Sequence, residues 1–128
     1  MQPVVRSSSA YWDYWQPVVE RALTANSTHE PEDVYHGIRR GWHFFFAEGV
    51  SFMVVDILNH PQVTTGQVWL AAGDLDELKA MAPKVEVWAK EQGCTRFEVA
   101  GRKGWEGALK DMGFRHHTTV LVKDITDG

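Results

Sequence analysis

The 128-residue sequence predicts a mixed α/β domain built on a mainly antiparallel central sheet flanked by helices. Three observations carry that expectation. Two runs of β-branched and aromatic residues, 42–47 and 50–58, flank the short Glu48-Gly49 break and describe a hairpin, and a third run at 63–72 follows the Asn59-His60-Pro61 turn. Stretches with apolar residues at three- and four-residue steps precede and follow this meander. The composition, 44% hydrophobic and 12% aromatic, suits one core and leaves no room for a second, so 1–128 is expected to form a single domain.

In chain order, 3–6 is a β-branched segment suited to an edge strand, and Ser7, Ser8 or Ser9 can cap the following helix by accepting an orphan backbone N–H. Over 10–25, Tyr11, Trp15, Val18 or Val19, Ala22 and Leu23 recur at helical steps, with Pro17 imposing a kink or a later start. After a turn at 26–29, Glu30-Pro31 starts a second helix, striped by Val34, Tyr35 and Ile38 and stopped by Gly41. In the third strand of the meander, alternation puts Val63, Thr65, Gln67 and Trp69 on one face and Thr64, Val68 and Leu70 nearer the other. Gly73 breaks it. Asp74 caps a helical turn at 75–80, and Pro83 opens or kinks a helix to Gln92, where Gly93 is the stop. A strand at 95–100, a short helix at 104–112 closed by Gly113 and a last strand at 118–122 complete the order β-α-α-β-β-β-α-β-α-β.

Charge and composition narrow the function classes. Thirteen Lys and Arg against 17 Asp and Glu give a net charge of −4, which disfavours wrapping a nucleic-acid backbone by bulk charge. The apolar stretches 44–47 and 50–55 are too short to span a bilayer, and no charged-then-apolar leader opens the chain. The single Cys94 cannot form an internal bridge, so a cytoplasmic setting is expected. His60, His116 and His117 are candidate imidazoles, but no His/Cys/Asp/Glu spacing resembles a metal site, and no metal is expected.

Four groups of residues remain for function. Gly101-Arg102-Lys103-Gly104 lies between a strand and a helix, where free N–H groups, the helix dipole and two cations suit a phosphate; the alternative is a solvated turn that needs glycine. Arg39 and Arg40 end the second helix as dipole partners or as a second part of that patch. Glu98 and Asp56 are carboxylates inside apolar strands, either general-base candidates or outward-facing polar positions. Tyr11, Trp12 and Trp15 make the first helix an aromatic surface for a protein partner or a second copy, or else a wedge across the sheet. Cys94 reads as a small core filler rather than a nucleophile.

The order of elements, with Gly93-Cys94-Thr95-Arg96-Phe97-Glu98-Val99 followed by Ala108-Leu109-Lys110-Asp111-Met112-Gly113-Phe114, resembles the GNAT family of N-acetyltransferases over nearly the whole chain. That resemblance implies acetyl-CoA as cofactor and an amine as acyl acceptor. It implies Glu98 as general base, with backbone N–H groups at Leu70, Ala71 and Ala72 polarising the carbonyl. Two departures stand beside it. The family's phosphate-loop pattern Gln/Arg-x-x-Gly-x-Gly/Ala is replaced by Ala71-Ala72-Gly73-Asp74-Leu75-Asp76-Glu77, whose carboxylates repel a pyrophosphate, and Leu109 stands where a general-acid tyrosine is often found. The alternative implied is a non-catalytic GNAT-fold interaction module. The Gly-Arg-Lys-Gly-Trp stretch is similar to small phage and prophage proteins of this look, some of them virion or assembly components, which would place the chain in host cytoplasm or virion.

Overall fold

The computed structural model describes residues 1–4, 9–24, 28–101 and 104–125. Helices α1 (Ser9–Leu23) and α2 (Pro31–Arg39) lead into strands β1 (Phe44–Glu48), β2 (Ser51–Asn59) and β3 (Thr64–Ala72). Helix α3 (Leu75–Glu91), strand β4 (Arg96–Val99), the short helix α4 (Gly104–Leu109) and a 3-10 turn at Lys110–Met112 follow. The sheet order is β1-β2-β3-β4, antiparallel through β3 and parallel between β3 and β4, so α3 is the crossover. Among the described residues no helix is long and apolar enough to cross a membrane.

Alternation along the strands splits the apolar side chains between two layers. Phe45, Phe52, Val54 and Leu70 meet Trp12, Trp15, Val19 and Leu23 of α1 and Val34 and Ile38 of α2. On the other face Phe46, Met53, Val55 and Val68 meet Leu78, Met81, Val85, Trp88 and Ala89 of α3. The alternation breaks once. Val54 pairs with Leu70 and Val55 with Val68, so Trp69 is an inserted residue and β3 carries a bulge there. Trp69 and Leu70 consequently both turn toward α1 and α2, whereas simple alternation puts Leu70 with Val68.

The helices tolerate their prolines for a common reason. Pro17 and Pro83 lie inside continuous helices, where each removes an N–H bond to the carbonyl four residues earlier, at Asp13 and Lys79. Both prolines are exposed, so water can serve the released carbonyls. Helix α3 is therefore one element rather than a turn followed by a helix opening at Pro83.

Of the two end strands of the predicted order, the last is a correction and the first falls partly outside the described residues. Residues 1–4 form no strand, although Val4 N donates to Phe45 O at 2.7 Å, and Val5 and Arg6 lie outside the described residues, as do the cap candidates Ser7 and Ser8. Residues 118–122 also form no strand, and Val120, Leu121 and Val122 are 80%, 89% and 85% exposed. Alternation becomes a strand only through pairing with a neighbour, and this segment pairs with none of the described strands.

Gly66 of β3 sits so close to α3 that a Cβ there would meet the Ala89 methyl at 3.0 Å. Gly66→Val is therefore expected to cost about 1–3 kcal/mol by overpacking, read from chemical denaturation. Cys94 is buried in the α3 layer, and burial pushes its thiol pKa up because the thiolate would lose solvation. Its alkylation should be slow in the native protein at pH 8 and become fast in denaturant. The folded form holds the proton more tightly than the unfolded chain, so any contribution of this group to stability declines as pH rises through the usual thiol range.

Candidate functional site

Strands β3 and β4 run side by side only from Thr65 opposite Arg96 to Val68 opposite Val99, and Ala100 N donates to Val68 O at 2.8 Å to close the ladder. Beyond this point β3 continues past the bulge with β2, while the chain leaves β4 at Gly101. The sheet thus opens between Leu70, Ala71 and Ala72 on one side and the β4 exit on the other. Bulges commonly sit where a strand changes neighbours, since the inserted residue ends one ladder and adds twist.

A polar row runs across the sheet next to this opening. Asp56 of β2 is in register with Gln67 of β3, and Gln67 with Glu98 of β4, which sets all three on the face toward α1 and α2. Gln67 Nε2 donates to Glu98 Oε2 at 3.2 Å and is the one hydrogen-bond partner of that carboxylate among the described residues. At the other end Asp56 Oδ1 lies 2.6 Å from His43 Nδ1. All four side chains are half-buried.

His43 is held from several sides. His43 N and Trp42 N both donate to Gly37 O, at 3.2 and 2.8 Å. The imidazole lies over Gly37 of α2, where any Cβ would overlap it. Its ring centroid is 5.2 Å from Trp69 and 5.8 Å from His29, and His29 and Trp69 are 4.7 Å apart. The Asp56 carboxylate is therefore committed to a fixed imidazole, and Glu98 has the less committed carboxylate of the two.

The N-terminal end of α3 is closed by its own acids. Asp74 Oδ1 accepts from Glu77 N at 3.0 Å, and Glu77 Oε1 accepts from Ser51 Oγ at 2.8 Å and from Val50 N at 3.2 Å. Asp74 N in turn donates to Ser51 Oγ at 2.8 Å. Ser51 is fully buried, Gly73 (φ +132) has no room for a Cβ beside it, and Gly49 (φ +59) has none beside the Glu77 carboxylate. A helix end ordinarily attracts anions through its free amides and dipole, but here carboxylates of Asp74 and Glu77 occupy it and Asp76 adds a third. A diphosphate does not fit at this end.

The remaining predicted residues fall as follows. Gly101 is exposed with the Trp105 ring beside it, Gly104 starts the six-residue α4, and Arg102 and Lys103 lie outside the described residues. Arg39 lies over Tyr35 at 5.7 Å and Arg40 over Trp42 at 5.1 Å, so both arginines have aromatic partners at the α2 end. Tyr11 is half-buried, and Trp12 and Trp15 are buried, Trp12 stacked on Tyr35 at 5.1 Å and Trp15 edge-on to Phe45 and Phe52. These tryptophans are the wedge; the aromatic that α1 turns outward is Tyr14, 64% exposed. Leu109 is buried, and no group of three potential metal ligands occurs among the described residues.

Sequence reasoning missed His29, His43, Gln67 and Trp69. Register was the available signal for two of them. Continuing the β1–β2 pairing one step beyond Phe44 opposite Val55 sets His43 opposite Asp56, and the β2–β3 turn sets Asp56 opposite Gln67. The packing of His29 on Trp69 depends on tertiary structure alone.

No family model and no curated protein matches the chain. Solved structures do match it along its length. A probable acetyltransferase superposes with TM-score 0.73 at 13% identity, covering 100% of both chains. A predicted acetyltransferase with acetyl-CoA from Clostridium acetobutylicum gives 0.66 at 10% identity over 92% of each chain. The ribosomal-protein-alanine N-acetyltransferase from Brucella melitensis biovar Abortus 2308 gives 0.65 at 14% identity, over 89% of this chain and 93% of that one. The chain accordingly has the GNAT-type acetyltransferase fold.

Ser51→Ala removes a buried hydroxyl that serves both Asp74 N and the Glu77 carboxylate. A loss of about 1–3 kcal/mol is expected, read from denaturant midpoints, with faster amide exchange confined at first to the first turn of α3.

Proposed function

We propose that this protein is an acyltransferase that acylates a primary amine, with the amine held at the polar row and Glu98 as the group that takes its proton. The observation that carries this reading is the in-register row Asp56, Gln67 and Glu98 beside the β3–β4 opening. Two carboxylates on a half-buried face attract an ammonium group, and Gln67 orients one Glu98 oxygen by donating to the other. His43 pins Asp56, so the proton is assigned to Glu98. The shared fold with acetyltransferases, one of them with acetyl-CoA, supports acetyl-CoA as the acyl donor. When bound it would supply an activated thioester. Because the α3 end is filled with acids, the basic turn Gly101, Arg102, Lys103 and Gly104 is the proposed contact for its phosphates, and Leu70, Ala71 and Ala72 line the opening.

One observation favours a second reading, a non-catalytic interaction module such as a phage virion or assembly component. The anion-attracting end of α3 is latched shut by Asp74, Glu77 and Ser51, and Leu109 carries no acid group.

Calorimetric titration of acetyl-CoA into the full chain, with free CoA as control, separates the two. Saturable micromolar binding is expected, weakened in an Arg102→Ala, Lys103→Ala double variant. Glu98→Gln should keep that binding and lower acyl transfer to a screened amine by about 10²-fold or more. No heat at millimolar acetyl-CoA would leave the interaction module as the reading.

A further inference from the structure

The two arginines that end α2 take no part in the site described above. Arg39 and Arg40 are exposed, and among the described residues neither forms an ion pair. Each lies against a ring instead. Arg39 is beside Tyr35, whose hydroxyl accepts from Arg39 Nη1 at 3.5 Å, and Arg40 is over Trp42. A guanidinium laid on a ring keeps its edge free, and that edge is a planar fork of donors matched to a carboxylate.

The helix end explains the cations but not the indole. Two basic residues at a helix C-terminus are accounted for by its dipole, whereas Trp42 gains nothing there from charge and is 62% exposed. Trp12, Trp15 and Trp88 are buried, and Trp69 and Trp105 are half-buried. An exposed tryptophan with arginine and tyrosine beside it is the combination that dominates binding energy at protein interfaces, since these side chains offer large contact area or many donors from one position. Charge then selects the partner. Glu32 and Asp33 sit in the first turn of α2 and Arg39 in its last, about 10 Å away at 1.5 Å per residue, and no acidic residue occurs from Val34 to Ala47. A nucleic-acid base would need a free aromatic platform, but Tyr35 is already stacked on Trp12 and Trp42 already carries Arg40.

We propose that this end of α2 is a docking surface for an acidic peptide segment of a partner protein, with carboxylates of the segment on Arg39 and Arg40 and an apolar side chain on Trp42. The inference goes beyond the acyl transfer proposed above and does not depend on it, since the surface lies outside the polar row, which ends at His43.

Titration of the full chain at low salt with a capped oligoglutamate peptide, followed by amide NMR shifts, should show saturable binding that moves the signals of 35–43 and weakens as salt is added. Arg39→Gln with Arg40→Gln should weaken that binding about tenfold. Trp42→Ala should weaken binding of a peptide in which leucine alternates with glutamate more than binding of oligoglutamate. Both variants should keep the circular dichroism spectrum of the parent, since all three side chains are exposed. The proposal is overturned by absence of binding, by binding unchanged in the double arginine variant, by a Trp42→Ala variant that takes both peptides as the parent does, or by shifts that map to 96–105 instead. Tighter binding of an anionic vesicle or a single-stranded oligonucleotide than of either peptide would overturn it equally.

Discussion

Inserting Trp69 opposite the Val54–Val55 step turns the second half of β3 by one residue, and much of the architecture on both sides of the sheet follows from that turn. It carries Leu70 and Ala72 to the layer of α1 and α2, where Trp12 and Trp15 cover them, and leaves Val68 with α3. The same insertion coincides with the end of β4 pairing, so the sheet opens at the point where the indole turns toward His29 and His43. A regular β3 would keep Trp69 on this face but bring Leu70 to the α3 face, taking it out of the layer under α1 and α2.

A second constraint acts at the start of α3. Helix ends need partners for their free amides, and any anion nearby competes for them. In this chain the competition is decided internally, by Asp74 on Glu77 N and by Glu77 reaching across to the β1–β2 hairpin. The two glycines beside this contact, Gly73 and Gly49, show how closely the helix start and the hairpin approach. The anchoring of the α3 start to the hairpin and the occupation of its free amides thus have one cause.

The polar row shows how a sheet can hold charged groups without burying them singly. Asp56 is matched by His43 and Glu98 by Gln67, each across one strand spacing, so neither carboxylate enters the half-buried face without a donor. The two pairs are unequal: the imidazole wedged over Gly37 is fixed by the fold, whereas the Gln67 amide is a side chain on a strand and bonds to one Glu98 oxygen.

The hairpin at 42–58, the third strand, the helix starts at Pro31 and Asp74 and the stops at Gly93 and Gly113 were legible in sequence because each depends on local preferences: strand-forming runs, a proline at a first turn, an acid cap and glycines at positive φ. Asp56 and Glu98 were legible as polar residues in apolar strands, and Cys94 as a filler of the core. The positions decided by more than one element were not. Whether Trp12 and Trp15 face a partner or the sheet depends on the distance between α1 and β1, which no helical period encodes. Leu70 was misplaced because a bulge is a mismatch between two strands. The segment 118–122 reads as a strand by alternation yet pairs with none of the described strands. Sequence by itself determined the elements from α1 to α4 and their order, since those follow from interactions a few residues apart; tertiary structure decided the bulge, the polar row and the closing of the α3 end against the hairpin, since these need contacts between residues 11 or more positions apart, such as Asp56 with Gln67 and Ser51 with Glu77.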